Sequence, residues 1–127
     1  MRAYTVATAA VALRVNPKWI DNVLSHHTVK GVTQSRQGIA RRLTEEAVSV
    51  LEIALQLSRA FGVPIAQGLE ISQSMIAAGT SDPHCAGDHC LLTVDAAGVR
   101  RHVAARLADA VEYAPIPRRG RPRITRQ

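Results

Sequence analysis

The sequence predicts a mainly α-helical chain that carries a few short strands. Apolar residues recur at helical spacing after recognisable helix starts, as Ile20, Val23 and Leu24 do behind an Asn-Pro pair. Two β-prone runs, residues 29–33 and 38–43, flank a polar connection that contains glycine, which indicates a β-hairpin. Aromatic residues make up only 3% of the 127 residues, so the core must be built mainly from Ala, Val, Leu and Ile.

The first two helices are predicted to meet at a tight turn just before Pro17. Asn16 is a strong N-cap, and Pro17 suits the first helical position because its missing N–H costs nothing there. Two short helices joined in this way form a helix-turn-helix, whose second helix can enter a major groove and reach base edges. The candidate base contacts are Lys18, Trp19, Asn22 and His26. Trp19 suits packing equally well, and His26 suits plain polar surface.

The hairpin that follows the second helix is basic. A basic hairpin in this place is a wing, whose side chains can reach phosphates or the minor groove. Its candidate phosphate contacts are Lys30, Arg36, Gln37, Arg41 and Arg42. Thr44 then caps a helix whose first turn carries Glu45 and Glu46, and a helix N-terminus favours such negative charges. Residues 1–78 are therefore predicted to form a winged helix-turn-helix DNA-binding domain.

The order of these features resembles the DNA-binding domain of MerR-like regulators and their small excisionase relatives. Members open with a Tyr-Thr-hydrophobic start, here Tyr4-Thr5-Val6, and continue with a helix-turn-helix. Their wing ends in Gly-x-x-Arg-Arg-(aromatic or Leu)-Thr and leads into Glu-Glu-x-Val. That pattern is matched by Gly38, Arg41, Arg42, Leu43, Thr44, Glu45, Glu46 and Val48. The similarity covers about residues 4–76, and it implies double-stranded DNA as the partner.

The chain also departs from that family. Arg14 occupies the turn position where glycine is usual, and Leu43 replaces the commoner aromatic residue. The long dimerising coiled coil of MerR regulators has no counterpart in the sequence. The resemblance therefore implies neither their mode of dimerisation nor their twisting of the operator.

Two more helices are predicted between the wing and the next loop, over residues 45–60 and 64–78. The first of them carries apolar side chains on two faces, which indicates burial on two sides. One face can cover the helix-turn-helix, and the other can meet the next helix or a second subunit.

A loop is predicted over residues 79–90, and it carries His84-Cys85 and His89-Cys90. Three interpretations of these side chains stay open: a metal site, a Cys85–Cys90 disulfide, and a plain loop with incidental thiols. We predict the plain loop, with no bound metal or cofactor. Adjacent ligands such as His84 and Cys85 diverge, and a reducing cytoplasm disfavours disulfides.

Residues 91–114 are predicted to form a strand and a helix. The β-prone run 91–94 needs a partner, either residues 3–6 or the same strand of a second subunit. Asp95 can cap a helix over residues 96–113, and this helix serves either as a dimer contact or as packing against its own domain. Its apolar stripe consists of Val99, Val103, Leu107 and Val111.

The last segment, residues 115–127, is predicted to be a disordered basic tail because its prolines prevent a helix. It resembles the AT-hook, whose Arg-Gly-Arg-Pro core is matched at residues 119–122. A narrow, A·T-rich minor groove attracts arginine, and glycine lets the backbone approach the groove floor. The candidate contacts are Arg118, Arg119, Gly120, Arg121 and Arg123. The alternative is a tail that binds by charge alone.

Charge divides the chain into three parts. Residues 1–44 hold seven Lys or Arg against one Asp, residues 45–114 hold four Arg against nine acids, and residues 115–127 hold five Arg and no acid. The basic ends are expected to face a polyanion and the acidic middle a protein, although ordinary solvated surface also fits. No apolar run approaches the roughly 20 residues of a membrane span, so we expect a cytoplasmic, nucleoid-associated protein.

The sequence favours a sequence-specific, homodimeric DNA-binding regulator of transcription that is not an enzyme. It shows no Ser-His-Asp context, no phosphate-cradling glycine loop and no carboxylate pair suited to acid–base chemistry. The alternatives are an architectural or excisionase-type DNA-binding factor, and an antitoxin-like module whose acidic middle neutralises a basic partner protein. A sensor that responds to a ligand through its Cys/His loop is a further alternative.

Overall fold

The computed structural model describes residues 2–34, 40–78, 84–85 and 88–113. The strands in this part of the chain are β1 (Ala3–Thr5), β2 (Val32–Thr33), β3 (Arg42–Thr44), β4 (His84–Cys85) and β5 (Leu91–Leu92). The helices are α1 (Val6–Leu13), α2 (Pro17–His26), α3 (Glu45–Phe61), α4 (Ile65–Ala78) and α5 (Ala96–Tyr113). The predicted mainly α fold with a small amount of strand is confirmed.

Three of the predicted helix starts are confirmed by their capping hydrogen bonds. The Oδ1 atom of Asn16 accepts from the Lys18 N–H at 2.9 Å, and Oγ1 of Thr44 accepts from the Ala47 N–H at 3.2 Å. Asp95 caps α5 in the same way, at 2.9 Å. Each side chain satisfies a backbone N–H that has no partner inside its own helix.

β3 is the central strand of a three-stranded antiparallel sheet of order β1-β3-β2. Leu43 lies opposite Tyr4 on one side and opposite Val32 on the other, and its side chain is fully buried. β2 and β3 form the predicted hairpin, with shorter strands than the sequence suggested. Residues 35–39, which connect them, lie outside the described residues.

The expected pairing of residues 91–94 with residues 3–6 is wrong. β1 pairs with β3, whereas β5 pairs with β4 in a separate two-stranded sheet, with Leu91 opposite Cys85. β4 and β5 are close neighbours along the chain, so their pairing closes only a short loop and has a small entropic cost. The region predicted as a plain loop, residues 79–90, therefore contains one strand of this sheet.

α3 lies at the centre of the helical core. It contacts α1, α4, α5 and β3, which confirms the predicted burial on two sides. Gly68 of α4 lies directly over Ala54, because a Cβ added at Gly68 would stand only 3.4 Å from the Ala54 Cα. Small residues thus let α3 and α4 approach closely. The buried residues of α3 are Ala47, Val48, Ser49, Val50, Leu51, Ile53, Ala54, Leu55 and Leu57.

α5 packs against α1 and α3 of its own chain, which is one of the two roles predicted for it. Two arginines of α5 also bond to the ends of other helices. Arg100 Nη2 donates to the Ile76 carbonyl at the end of α4, and Arg106 Nε donates to the Ala12 carbonyl at the end of α1, both at 3.0 Å. Carbonyl groups in the last turn of a helix accept no hydrogen bond from within that helix. The two arginines of α5 therefore supply donors to the ends of α4 and α1. Of the predicted α5 stripe, Val103 and Leu107 are buried, whereas Val111 is 43% exposed. Ala110, next to the stripe, is buried as well.

α1 and α3 end in the same backbone motif, built from different residues. The N–H groups of Arg14 and Val15 bond back to carbonyls of the last turn, as those of Gly62 and Val63 do. The first residue of each pair is left-handed, with φ of 57° at Arg14 and 68° at Gly62. Glycine adopts this conformation freely, whereas a residue with a Cβ loses roughly 1–2 kcal/mol. Arg14 is therefore a strained residue in the turn before α2.

Replacing Arg14 with glycine should raise the free energy of unfolding by about 0.5–1 kcal/mol, because strain relief outweighs the added entropy of the unfolded chain. Gly62→Ala is the matched variant, since an added Cβ there meets no atom within 4 Å and the folded state changes only in backbone strain. It should lower the free energy of unfolding by about 1 kcal/mol. Urea denaturation measures both. An Arg14→Gly protein no more stable than the parent would contradict this account of the turn.

Candidate nucleic-acid interface

The candidate base contacts lie on α2. Ile20 and Val23 are buried and fix the rotation of the helix against the core, which leaves Lys18 and Asn22 exposed. The ring of Trp19 is half-buried and packs against the core, so this side chain supports the helix as well as contributing to its surface. The exposed side of α2 therefore carries an ammonium and an amide within the first two turns of the helix.

His26 is exposed in the last turn of α2. Its Nδ1 atom lies 2.8 Å from the backbone carbonyl oxygen of Asn22. Because a carbonyl oxygen only accepts, this contact requires the proton on Nδ1, and the neutral ring keeps Nε2 as an acceptor. The neutral ring can therefore accept from a base amino group, and the protonated ring can donate to a phosphate.

An ion pair joins α2 to the residue that precedes β3. Arg41 Nη1 lies 3.1 Å from Asp21 Oδ1, and Arg41 Nη2 donates to Ser25 Oγ at 3.3 Å. Only 21% of the Arg41 side chain is exposed. Arg41, which the sequence assigned to phosphate contact, is thus bonded to two residues of α2. These bonds fix the exposed helix relative to the basic hairpin.

The approach to the hairpin is held by a glutamine from α4. Gln73 Oε1 accepts from the Lys30 N–H at 3.1 Å, and Gln73 Nε2 donates to the Thr28 carbonyl at 3.3 Å. The Lys30 side chain itself is exposed, as is that of Arg42 in β3. These two predicted phosphate contacts are therefore accessible on a segment whose backbone is anchored.

Gly31 lets β2 lie against the start of α3. Its φ is 92°, and an added Cβ would collide with Oγ1 of Thr44, the atom that caps α3. The Thr44 N–H also donates to the Gly31 carbonyl at 2.9 Å. Glycine is required here by both the backbone conformation and the close approach. The hairpin is consequently fixed to α3 as well as to α2.

A recess of about 270 Å³ opens between the end of α2 and the hairpin. His27 and Arg41 are among the residues that line it, and no carboxylate is. Arg41 also donates to Asp21 and Ser25. Side chains of these two types suit an anionic group such as a phosphate. The lining residues are Leu24, His27, Thr28, Val29, Val32, Gln34 and Arg41.

Seven predicted contacts fall outside the described residues and stay predictions. They are Arg36 and Gln37 in the hairpin connection, and Arg118, Arg119, Gly120, Arg121 and Arg123 in the tail.

The structure adds residues to this surface that the sequence did not indicate. The roles of Asp21 and Ser25 depend on Arg41, which is 20 residues from Asp21 along the chain, so no local pattern reveals them. Gln73 is likewise 43 residues from Lys30. Arg14 did carry a signal, because it stands where the resembled family usually has glycine, and the structure places it exposed in the turn before α2.

No protein-family model, curated protein or solved structure matches this chain. None of the helices in the described ranges is long and apolar enough to cross a membrane. Among the same residues, no three His, Cys, Asp or Glu side chains come together as metal ligands would, and Cys90 is a free, exposed thiol.

Proposed function

We propose that this chain is a sequence-specific DNA-binding regulator of transcription, which binds duplex DNA through a winged helix-turn-helix made of α1, α2 and the β2–β3 hairpin. The main support for this proposal is the ion pair between Asp21 and Arg41, in which Oδ1 and Nη1 lie 3.1 Å apart. A helix reads base edges only when other contacts fix its depth and angle in the groove, and those contacts are mostly made to phosphates. Here the ion pair fixes a helix with exposed polar side chains beside a basic hairpin.

In this proposal α2 lies in the major groove and supplies the base contacts. A lysine suits the O6 and N7 acceptors of guanine, and an asparagine pairs with N6 and N7 of adenine. Lys18 and Asn22 are the exposed residues of α2 with these properties. Each good base contact is worth roughly 1–3 kcal/mol of discrimination against the wrong base. His26 adds a weaker contact near the end of the helix.

The hairpin and the recess beside it hold the phosphates. Lys30 and Arg42 are exposed there, and Arg36 and Gln37 belong to the connection between the strands. Such contacts release counterions, so the affinity should fall steeply as salt rises. Asp21, the only acid among residues 1–44, is paired with Arg41, which offsets the repulsion that its carboxylate would exert on the DNA backbone.

We assign Arg14 to the same phosphate contacts. A non-glycine residue held in a left-handed conformation is strained, and such residues cluster at functional positions. Arg14 is exposed two residues before Asn16, the N-cap of α2. The N-terminal end of a helix carries partial positive charge, which an adjacent arginine reinforces toward a phosphate. A guanidinium contact to DNA would account for an arginine at a position that glycine fits better.

The basic tail is proposed to contact the minor groove next to the site read by α2. Residues 119–122 supply the Arg-Gly-Arg-Pro core, and an A·T-rich groove concentrates the negative potential that attracts its arginines. A tail of this kind would add A·T preference to one flank of the recognised sequence.

Selection from a random pool of duplexes should enrich one motif with the full chain. Asn22→Ala should lose roughly 5- to 150-fold of preference at one base pair while keeping the salt dependence, because Asn22 carries no charge. Gln67→Ala, which removes an exposed amide from α4, is the control and should leave the motif unchanged. Equal binding of all duplexes would contradict sequence reading and favour the architectural alternative. Absence of binding would favour the partner-protein module.

Arg14→Gly should weaken DNA binding although it stabilises the protein. The loss should be similar for all duplexes, and the slope of log affinity against log salt should become shallower by about 0.9, as for one lost phosphate contact. Arg101→Ala removes an exposed cation from α5 and should change neither quantity. Binding of Arg14→Gly with parental affinity and slope would exclude the Arg14 contact.

Two pairs of tail substitutions can separate an AT-hook from a tail that binds by charge. Arg119→Ala with Arg121→Ala should abolish the preference for an A·T-rich flank, because these residues form the core that enters the groove. Arg123→Ala with Arg126→Ala removes the same charge and should weaken binding without abolishing that preference. The measurement is competition between duplexes with A·T-rich and G·C-rich flanks. Equal effects of the two pairs would show that charge alone is used.

A further inference from the structure

An exposed apolar surface lies at the end of α3 that is farthest from the hairpin. Phe61 is 75% exposed there, and beside it a cleft of about 270 Å³ separates α3 from β5 and the start of α5. Leu91, next to the cleft residue Leu92, is 71% exposed. The apolar lining of the cleft consists of Ile53, Leu57, Ala60, Phe61, Leu92, Val94 and Val99. We call Phe61 and this cleft the α3-end surface.

An exposed apolar surface of this kind is stabilised when a partner covers it. Removing a phenylalanine side chain from water is favourable by roughly 1.5–3 kcal/mol, and this chain leaves Phe61 outside its core. A large aromatic side chain exposed beside an apolar cleft is typical of an association site. We propose that the α3-end surface is the contact between two copies of this chain.

The α3-end surface is complementary to itself, as a two-fold contact requires. The same patch meets itself in such a dimer, so it needs both a projecting group and a recess. Phe61 projects and the cleft beside it receives, so that Phe61 of each copy would enter the cleft of the other. A phenylalanine ring is small enough for a cleft of this volume.

The α3-end surface is poor in charge. Asp95 is the one charged residue among those that line the cleft. Arg59, two residues before Phe61, does not line it, because residues two apart on a helix point to nearly opposite sides. Few charges around an exposed aromatic side chain are typical of the centre of a protein–protein contact.

The choice of a second copy over another protein rests on the proposed function. α3 has 17 residues and is therefore about 25 Å long, with the hairpin at its first residue and Phe61 at its last. A dimer joined through Phe61 leaves both DNA-binding faces free and separates them by up to about 50 Å. The usual distance between half-sites, about 34–36 Å, is within that limit. In the α5 stripe, by contrast, Val103 and Leu107 are already buried inside the chain.

Sedimentation velocity of the full chain without DNA tests the surface. The parent protein should dimerise, and Phe61→Ser should raise the dissociation constant about 30-fold or more, as the loss of an interface hot spot does. Val111→Ser is the matched control, because Val111 is 43% exposed on α5 and lies outside the α3-end surface. It should leave the dimer unchanged. Circular dichroism of each variant checks that the helices are retained.

A parent protein that is monomeric at every concentration would overturn the proposal, as would a dimer that Val111→Ser dissociates and Phe61→Ser does not. Since no DNA is present, this result and the result of the DNA selection can fail independently.

Discussion

The fold depends on one helix that is buried on nearly every side. α3 contacts α1, α4, α5 and β3, and its buried residues leave little of its circumference exposed. With so few aromatic residues, the core achieves this through close approach of helices, as at Gly68 against Ala54. The last residue of the hairpin, Thr44, is also the N-cap of α3. The orientation of the basic hairpin is therefore set by the most buried element of the molecule.

The elements of the fold were predictable because their signals are local. Asn16, Thr44 and Asp95 each cap the helix that follows them, and a capping bond spans only two or three residues. The partner of β5 was not predictable, because strand pairing depends on which segments the folded chain brings together, and the two-residue β4 carries almost no pattern of its own.

The candidate interface was predictable only in part. Its residue types and its position on α2 and the hairpin follow from the sequence, since charge and helix-start signals mark them. The contacts that shape it join residues far apart in the chain, as Gln73 and Lys30 are, or Arg106 and Ala12. Arg14 was predictable in part. The sequence shows an arginine where the resembled family usually has glycine, but only the φ of 57° shows that its backbone is strained.

The two proposals place their partners at opposite ends of α3. The start of α3 supports the hairpin and, through the Arg41 bonds, the exposed side of α2. The end of α3 carries Phe61 and the apolar cleft. α5 holds α1 and α4 in place, because Arg106 and Arg100 bond to the ends of these two helices. A rigid helix between two binding surfaces can hold DNA-reading elements at a defined separation, as the proposed dimer requires.

The most direct test of the central claim is to map the DNA contact by NMR amide shifts, with the full chain titrated with a short duplex that carries the selected motif. The account predicts that the largest changes fall on α2, on the turn at Arg14 and on the β2–β3 hairpin, while α4 and the end of α3 stay unchanged. A duplex of the same length and composition in scrambled order should affect the hairpin more than α2. Changes centred on α4 or α5 with α2 unaffected would contradict the account.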